Sequence, residues 1–439
     1  MLAFRLARGA HPVVQLRRLL VAAASAGTGF LLLCTLAYAM EHPGAGAGLR
    51  LAWCAAPVAA TVYFAVAVAR TDPGTRPRSG LSAVGLGPGR LMVLATISTA
   101  VACTLGSMLA LLFFLHLRGD VSGLPFDGSA ADLLAADRPL PVAAALTLLA
   151  VVPLAASAAS AFVLRPRATK TAAGAAGTIR GAKARPTPAP RPDAATAPAS
   201  GPSPRTEPSA EISTEPRTEP GTEPATHPGT GPAAPTPPPS GLPWGVALLA
   251  AGLAVETYTS RSGTTPRTGL PLPGSADGSP AGVLAGWALT ALGLVLAGPG
   301  LTYLCGRLLQ TVRPGALRLL AGRVLQEEAR RIGRPLGVLC AVASGAYASI
   351  VLYAGPRPEA GPLTTLGALL VGGCAVLTLA TASVEARQAR SDTTSALLRL
   401  GAPATMLRGS AALRAGALLA VFGPLTWVVA QLAALPLTP

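Results

Sequence analysis

The sequence predicts an all-α, polytopic membrane protein, and three observations carry that prediction. Only 12% of its 439 residues are charged, about half the usual share in a soluble chain. The apolar residues gather into nine runs, each long enough to cross the ~30 Å hydrocarbon layer at about 1.5 Å per residue. Arginine-rich connections alternate with short or acidic ones, as orientation in a membrane requires.

The first run, 19–40, follows Arg5, Arg8, Arg17 and Arg18. It ends in Ala37-Tyr38-Ala39, which resembles a cleavage site. The run is longer than the apolar core of a signal peptide, so it reads as an uncleaved anchor. The others cover 51–69, 91–116, 140–164, 242–258, 281–304, 335–354, 363–383 and 411–435. The fifth is the weakest, with Pro243 near its start and Glu256 near its end.

Loop charge then orients the runs. Arg70, Arg76, Arg78 and Arg90 lie between the second and third, and Arg165, Arg167, Lys170, Arg180 and Lys183 follow the fourth. Seven arginines from Arg307 to Arg334 separate the sixth and seventh, and Arg387, Arg390, Arg399 and Arg408 separate the eighth and ninth. With the basic N-terminus, all of these belong on the cytoplasmic side. The segment with Asp120, Asp127, Asp132 and Asp137 belongs outside, and the loop with Arg261 and Arg267 is a mild exception. The alternation works only if the fifth run crosses, which puts the N-terminus in the cytoplasm and the C-terminus outside. Lys170 and Lys183 are the only lysines, an arginine bias that fits a bacterial cell membrane.

Residues 165–241 change character. Thr206-Glu207-Pro208, Thr214-Glu215-Pro216, Thr218-Glu219-Pro220 and Thr222-Glu223-Pro224 set a proline-rich rhythm that forbids continuous helix and cannot bury a core. The chain therefore divides into a first membrane repeat over 1–164 with four spans, a disordered cytoplasmic linker over 165–241, and a second membrane half over 242–439 with five.

Several function classes fall away. The net charge of +16 sits beside apolar runs, so it orients the chain and predicts lipid, with no nucleic acid, as its partner. Cys34, Cys54, Cys103, Cys305, Cys340 and Cys374 lie within or at the end of apolar runs without a CxxC pair, and His11, His42, His116 and His227 are far apart. No metal site, cofactor or catalytic residue is expected. Neither lysine follows glycine as a P-loop requires, and no HExxH or GxSxG occurs. The chain is not expected to be an enzyme.

The two halves match at an offset near 316 residues. The first, second and third runs fall on the seventh, eighth and ninth, and Leu81-Ser82-Ala83-Val84-Gly85-Leu86 falls on Leu397-Leu398-Arg399-Leu400-Gly401-Ala402. Corresponding helices run the same way, which predicts a parallel repeat. Before the seventh run, Leu317, Leu320, Val324 and Leu325 oppose Arg323, Glu327, Glu328, Arg330 and Arg331. That pattern predicts an amphipathic helix lying on the inner membrane surface. Met1 to Arg8 is either its shorter counterpart or a basic flank.

An amphipathic helix, a span, a span ending in arginines, then a leucine-rich Gly-Ala segment and a long apolar helix together resemble the FtsX-like permease domain of ABC transporters. Glu385-Ala386-Arg387-Gln388-Ala389-Arg390 with Ser395 to Pro403 is the best copy, and Arg70 to Arg90 a more worn one. The resemblance covers about 19–164 and 317–435. It implies a membrane-spanning subunit that couples a separate cytoplasmic ABC ATPase dimer to export or to a conformational signal. It further implies that Leu81, Val84, Gly85, Leu397, Leu398, Arg399, Leu400 and Gly401 form the ATPase-coupling segments, and that the chain assembles as a homo- or heterodimer. The chain departs from the family in having no large domain between its first two helices and no fourth helix in the second repeat, as in a degenerate or regulatory member. A secondary transporter and a non-transporting scaffold or signalling subunit are the alternative readings. The nearly uncharged helix interiors argue against ion coupling, with Glu256 near the end of its run and Arg414 near the start of the last.

Overall fold

The computed structural model describes residues 12–42, 45–71, 88–121, 128–131, 134–165, 241–261, 270–271, 278–279, 281–311, 315–353, 361–401 and 403–434. Met1 to Arg8, Leu81 to Leu86 and nearly all of the Thr-Glu-Pro linker lie outside these residues. The chain is an all-α polytopic membrane protein, and eight of its described helices are long and apolar enough to cross a bilayer.

The helices, in order, are α1 (Pro12–Glu41), α2 (Ala45–Trp53), α3 (Ala55–Thr71), α4 (Pro88–Arg118), α5 (Val142–Leu164), α6 (Leu242–Arg261), α7 (Ala281–Thr311), α8 (Ala316–Tyr353), α9 (Pro362–Ala389), α10 (Ser391–Arg399) and α11 (Ala404–Ala434). One antiparallel pairing, Leu270–Pro271 with Gly278–Ser279, sits between α6 and α7. The helix α6 is the predicted fifth span. It is twenty residues long but less apolar than the eight, because Pro243, Glu256 and the threonines dilute it.

The predicted second span is broken at Cys54 into α2 and α3. Pro57 explains the break, since it lacks an N–H and its ring crowds the carbonyl four residues back, at Trp53. Pro153, Pro299, Pro335 and Pro424 lie inside helices instead. Neighbouring helices and local adjustments make this tolerable in a membrane protein.

In the first half α1 packs along α4, and α5 closes against α4, α3 and α1. Gly106 lets α4 approach closely, for a Cβ there would lie on the Ala22 carbonyl. Ser25 Oγ donates to the Cys103 carbonyl at 2.8 Å and Ser107 Oγ to that of Leu149 at 3.1 Å. In the second half α7 lies between α6 and α8, and α8 packs on α11 and α9. The halves meet where α9 packs on α3 and α1, with Cys374 buried among Val21, Ala24, Phe64 and Cys103.

The offset of 316 carries α4 onto α11 residue for residue at both ends, and each is 31 residues long. It carries α1 onto the second part of α8, and α2 with α3 onto α9. The packing of α1 on α4 recurs as α8 on α11, and that of α1 on α3 recurs as α8 on α9.

The amphipathic segment differs from expectation. It is continuous with the seventh span as one 38-residue helix, and it packs on α7 instead of lying free on the membrane surface. Ala321, Leu325, Ala329 and Gly333, four residues apart, are buried together with Gly322, while Leu317 and Leu320 stay exposed. Small residues allow backbones to approach closely and so determine the packed face.

Candidate functional site

The expected coupling region in the second half occupies the end of α9, the whole of α10 and the start of α11. The helix α9 runs on through the arginine-rich segment to Ala389, so the expected turn there is helical. It breaks at Arg390, where φ is −103° and ψ −1°. The next helix begins at once, with the Thr394 N–H donating to the Arg390 carbonyl at 2.8 Å.

The short helix lies one turn earlier than its leucines suggested. It ends at Arg399, and Leu400 and Gly401 form its cap, donating to the Ala396 and Leu398 carbonyls at 3.0 and 3.1 Å. Gly401 has φ +86°, a conformation that costs an L residue about 1–2 kcal/mol and glycine almost nothing. A left-handed glycine after the last turn is a common helix ending. It turns the chain into α11 within a few residues.

Leu398 is 47% exposed, Leu400 84%, and Arg399 is exposed beside them. Leu398 on the helix and Leu400 in its cap are thus open to lipid or to another protein. The backbone of Leu397 belongs to α10. Leu81, Val84 and Gly85, the expected counterparts, lie outside the described residues.

Charge ties this region to the rest of the half. Glu328 on α8 accepts an ion pair from Arg390 Nε at 2.8 Å through Oε1. Its Oε2 lies 3.9 Å from Arg414 Nη1 on α11. Glu328 is only 12% exposed and Arg390 28%, so solvent screens the closer pair little. Arg390 Nε also donates to the Ala386 carbonyl at 3.0 Å. One carboxylate thus joins α8, the α9–α10 break and α11. Arg414, near the start of the last run, turns to this carboxylate. Sequence reading placed Glu328 on the polar side of an amphipathic helix. Nothing in the spacing linked it to arginines 62 and 86 residues away.

The first half has no such clasp among the described residues. The offset puts Pro12 in place of Glu328 and Ser98 in place of Arg414. Instead, a cleft of about 20 Å³ lies between α1, α3 and α4, lined by Arg18, Ala65, Ala69, Ser98 and Thr99. That is room for one water, far below the roughly 300–1,000 Å³ of a small-molecule site. The six cysteines are buried thiols, and no three metal-ligating side chains come together among the described residues. The arrangement is a short, exposed helix whose start is tied by charge to α8 and α11. Comparison with protein-family models, curated proteins and solved structures finds no match.

Proposed function

We propose that the chain is the membrane-spanning permease subunit of an ABC-type transporter. In this reading it couples a separate cytoplasmic ATPase dimer to export or to a conformational signal, with N-terminus inside and C-terminus outside. The observation that carries the reading is α10, a short helix with Leu398 and Leu400 uncovered. It is joined to α8 and α11 through Glu328, so force on α10 reaches two long membrane helices. The loop arginines on the same side of the alternation and the repeat at 316 residues add to it.

The test replaces Leu398 and Leu400 together with Asp. The chain should still insert, because neither residue lies in a helix long enough to span. An ATPase that co-purifies from native membranes should be lost with the double variant, and its turnover with it. Each buried apolar anchor at such an interface is worth about 2 kcal/mol. Full retention of ATPase binding and turnover would show that the leucines rest on lipid, and would overturn the coupling role.

A further inference from the structure

The α6–α7 hairpin buries one acid completely. Glu256 is 0% exposed, and it stands about 8 Å from the Arg261 end of α6 at 1.5 Å per residue. Its Oε1 accepts a hydrogen bond from Thr290 Oγ1 on α7 at 3.1 Å. Its Oε2 is equally buried and has no hydrogen-bond partner. Two glycines make the space, since a Cβ at Gly286 would lie on Glu256 Cγ and one at Gly252 on Thr290.

The helices packed on α6 are α7 and α11. No ionisable side chain occurs in α7 from Ala281 to Thr302, and those of α11 are Arg408 and Arg414 near its start. Among the described residues no ion pair reaches Glu256. A bare carboxylate in such surroundings costs several kcal/mol at least, and acids inside membranes generally mark ion or proton sites. Thr290 completes one oxygen only. Toward the end of the hairpin Thr259 packs its methyl at Gly282 and donates its hydroxyl to the Val255 carbonyl at 2.8 Å.

We propose that Glu256 and Thr290 form an intramembrane site for one monovalent cation, a proton or an alkali ion. The site stands apart from α10 and does not depend on the permease reading. Infrared difference spectra of the full chain in liposomes read it directly through the carboxylic-acid C=O band. A step from about pH 5 to about pH 9 should remove a band that the isosteric Glu256→Gln lacks. At fixed acid pH, replacing choline chloride with NaCl separates the two occupants. Loss of the band means that Na⁺ competes for the site, and an unchanged band means that the proton alone occupies it. Thr290→Val keeps the acid and removes its donor, so it should shift the midpoint of the pH response. If wild type and Glu256→Gln give the same spectra in both steps, Glu256 is a static interhelical hydrogen-bond partner and the proposal fails.

Discussion

Two parts of the second half use glycine in opposite ways. Between α6, α7 and α8, glycines mark places where one helix backbone lies against the next. A Cβ at Gly298 would sit on the Gly333 carbonyl, one at Gly337 on that of Leu294, and one at Gly306 within 2.7 Å of that of Gly322. Along α9 and α11, Gly372, Gly373, Gly416 and Gly423 meet nothing. The same residue is therefore a joint in one place and an open face in the other. The first three helices form an interlocked unit through many close approaches. The α9–α11 part is held by side chains instead of close backbones, namely the Glu328 clasp at one end, the seam with α3, and the packing of Phe422 and Val429 on Cys340 with the Gln431 bond to Tyr347 at 2.8 Å. Elements that move during coupling come from the less interlocked parts of a fold.

The largest effect should come from forcing the interlocked unit apart. Gly298→Leu places a side chain where the Gly333 backbone lies, and it should cost about 3 kcal/mol. Gly373→Leu faces open space and should stay within about 0.5 kcal/mol. Thermal unfolding of both variants in one detergent compares them directly. Equal losses would erase the contrast between the two regions.

Next comes the clasp. Glu328→Gln keeps shape but leaves Arg390 and Arg414 without a counter-charge. The cost should be about 2 kcal/mol, between the ranges for exposed and fully buried pairs. A nitroxide at Thr393 on α10 should gain mobility in this variant, while one at Trp244 on α6 should not. Unchanged mobility at Thr393 would mean that α10 is held by something other than this carboxylate.

The helices themselves were legible because length and apolarity mark a membrane span without reference to packing. The repeat lays α4 on α11 end to end, although the apolar run over 411–435 starts later than α11, and the weakness of the fifth run reappears in α6. The break at Cys54 was also written in the chain, at Pro57, though a hydropathy reading passes over it. Of the apolar face expected for α8, Leu325 is packed and Leu317 and Leu320 are not, because the contact with α7 is made by small residues that hydropathy ranks below leucine. Spacing of Ala321, Leu325, Ala329, Gly333 and Gly337 by four carries that signal. The clasp was out of reach, since pairs distant in sequence carry no local pattern. Glu256 was visible as a dilution of its run, but its burial depends on Gly252 and Gly286 facing each other across the hairpin.

The smallest effect tests the seam between the halves, where direction as well as distance is fixed. Thr28 Oγ1 donates to the Ala24 carbonyl at 2.9 Å, which commits its only proton. The 2.8 Å contact between Thr28 and Thr61 must then use the Thr61 proton. That leaves Cys374 Sγ, 4.0 Å away, as donor to Thr61. The order runs from α9 through α3 to α1, ending on a helix carbonyl, so each hydroxyl accepts one bond and gives one. Interhelical bonds of this kind are worth about 0.6 kcal/mol in a membrane. A double-mutant cycle with Thr28→Val and Thr61→Val, read by thermal unfolding, should return a coupling of about that size. Cys374→Ala should cost about 1 kcal/mol, most of it lost packing, because a thiol is a weak donor at this distance. A coupling near zero would mean that the halves meet through packing alone. The seam with the first half would then rest on Cys374 and its apolar neighbours, and the described directional bonds of the α9–α11 part would all run to α8, through the Glu328 clasp, Ser344 and Tyr347.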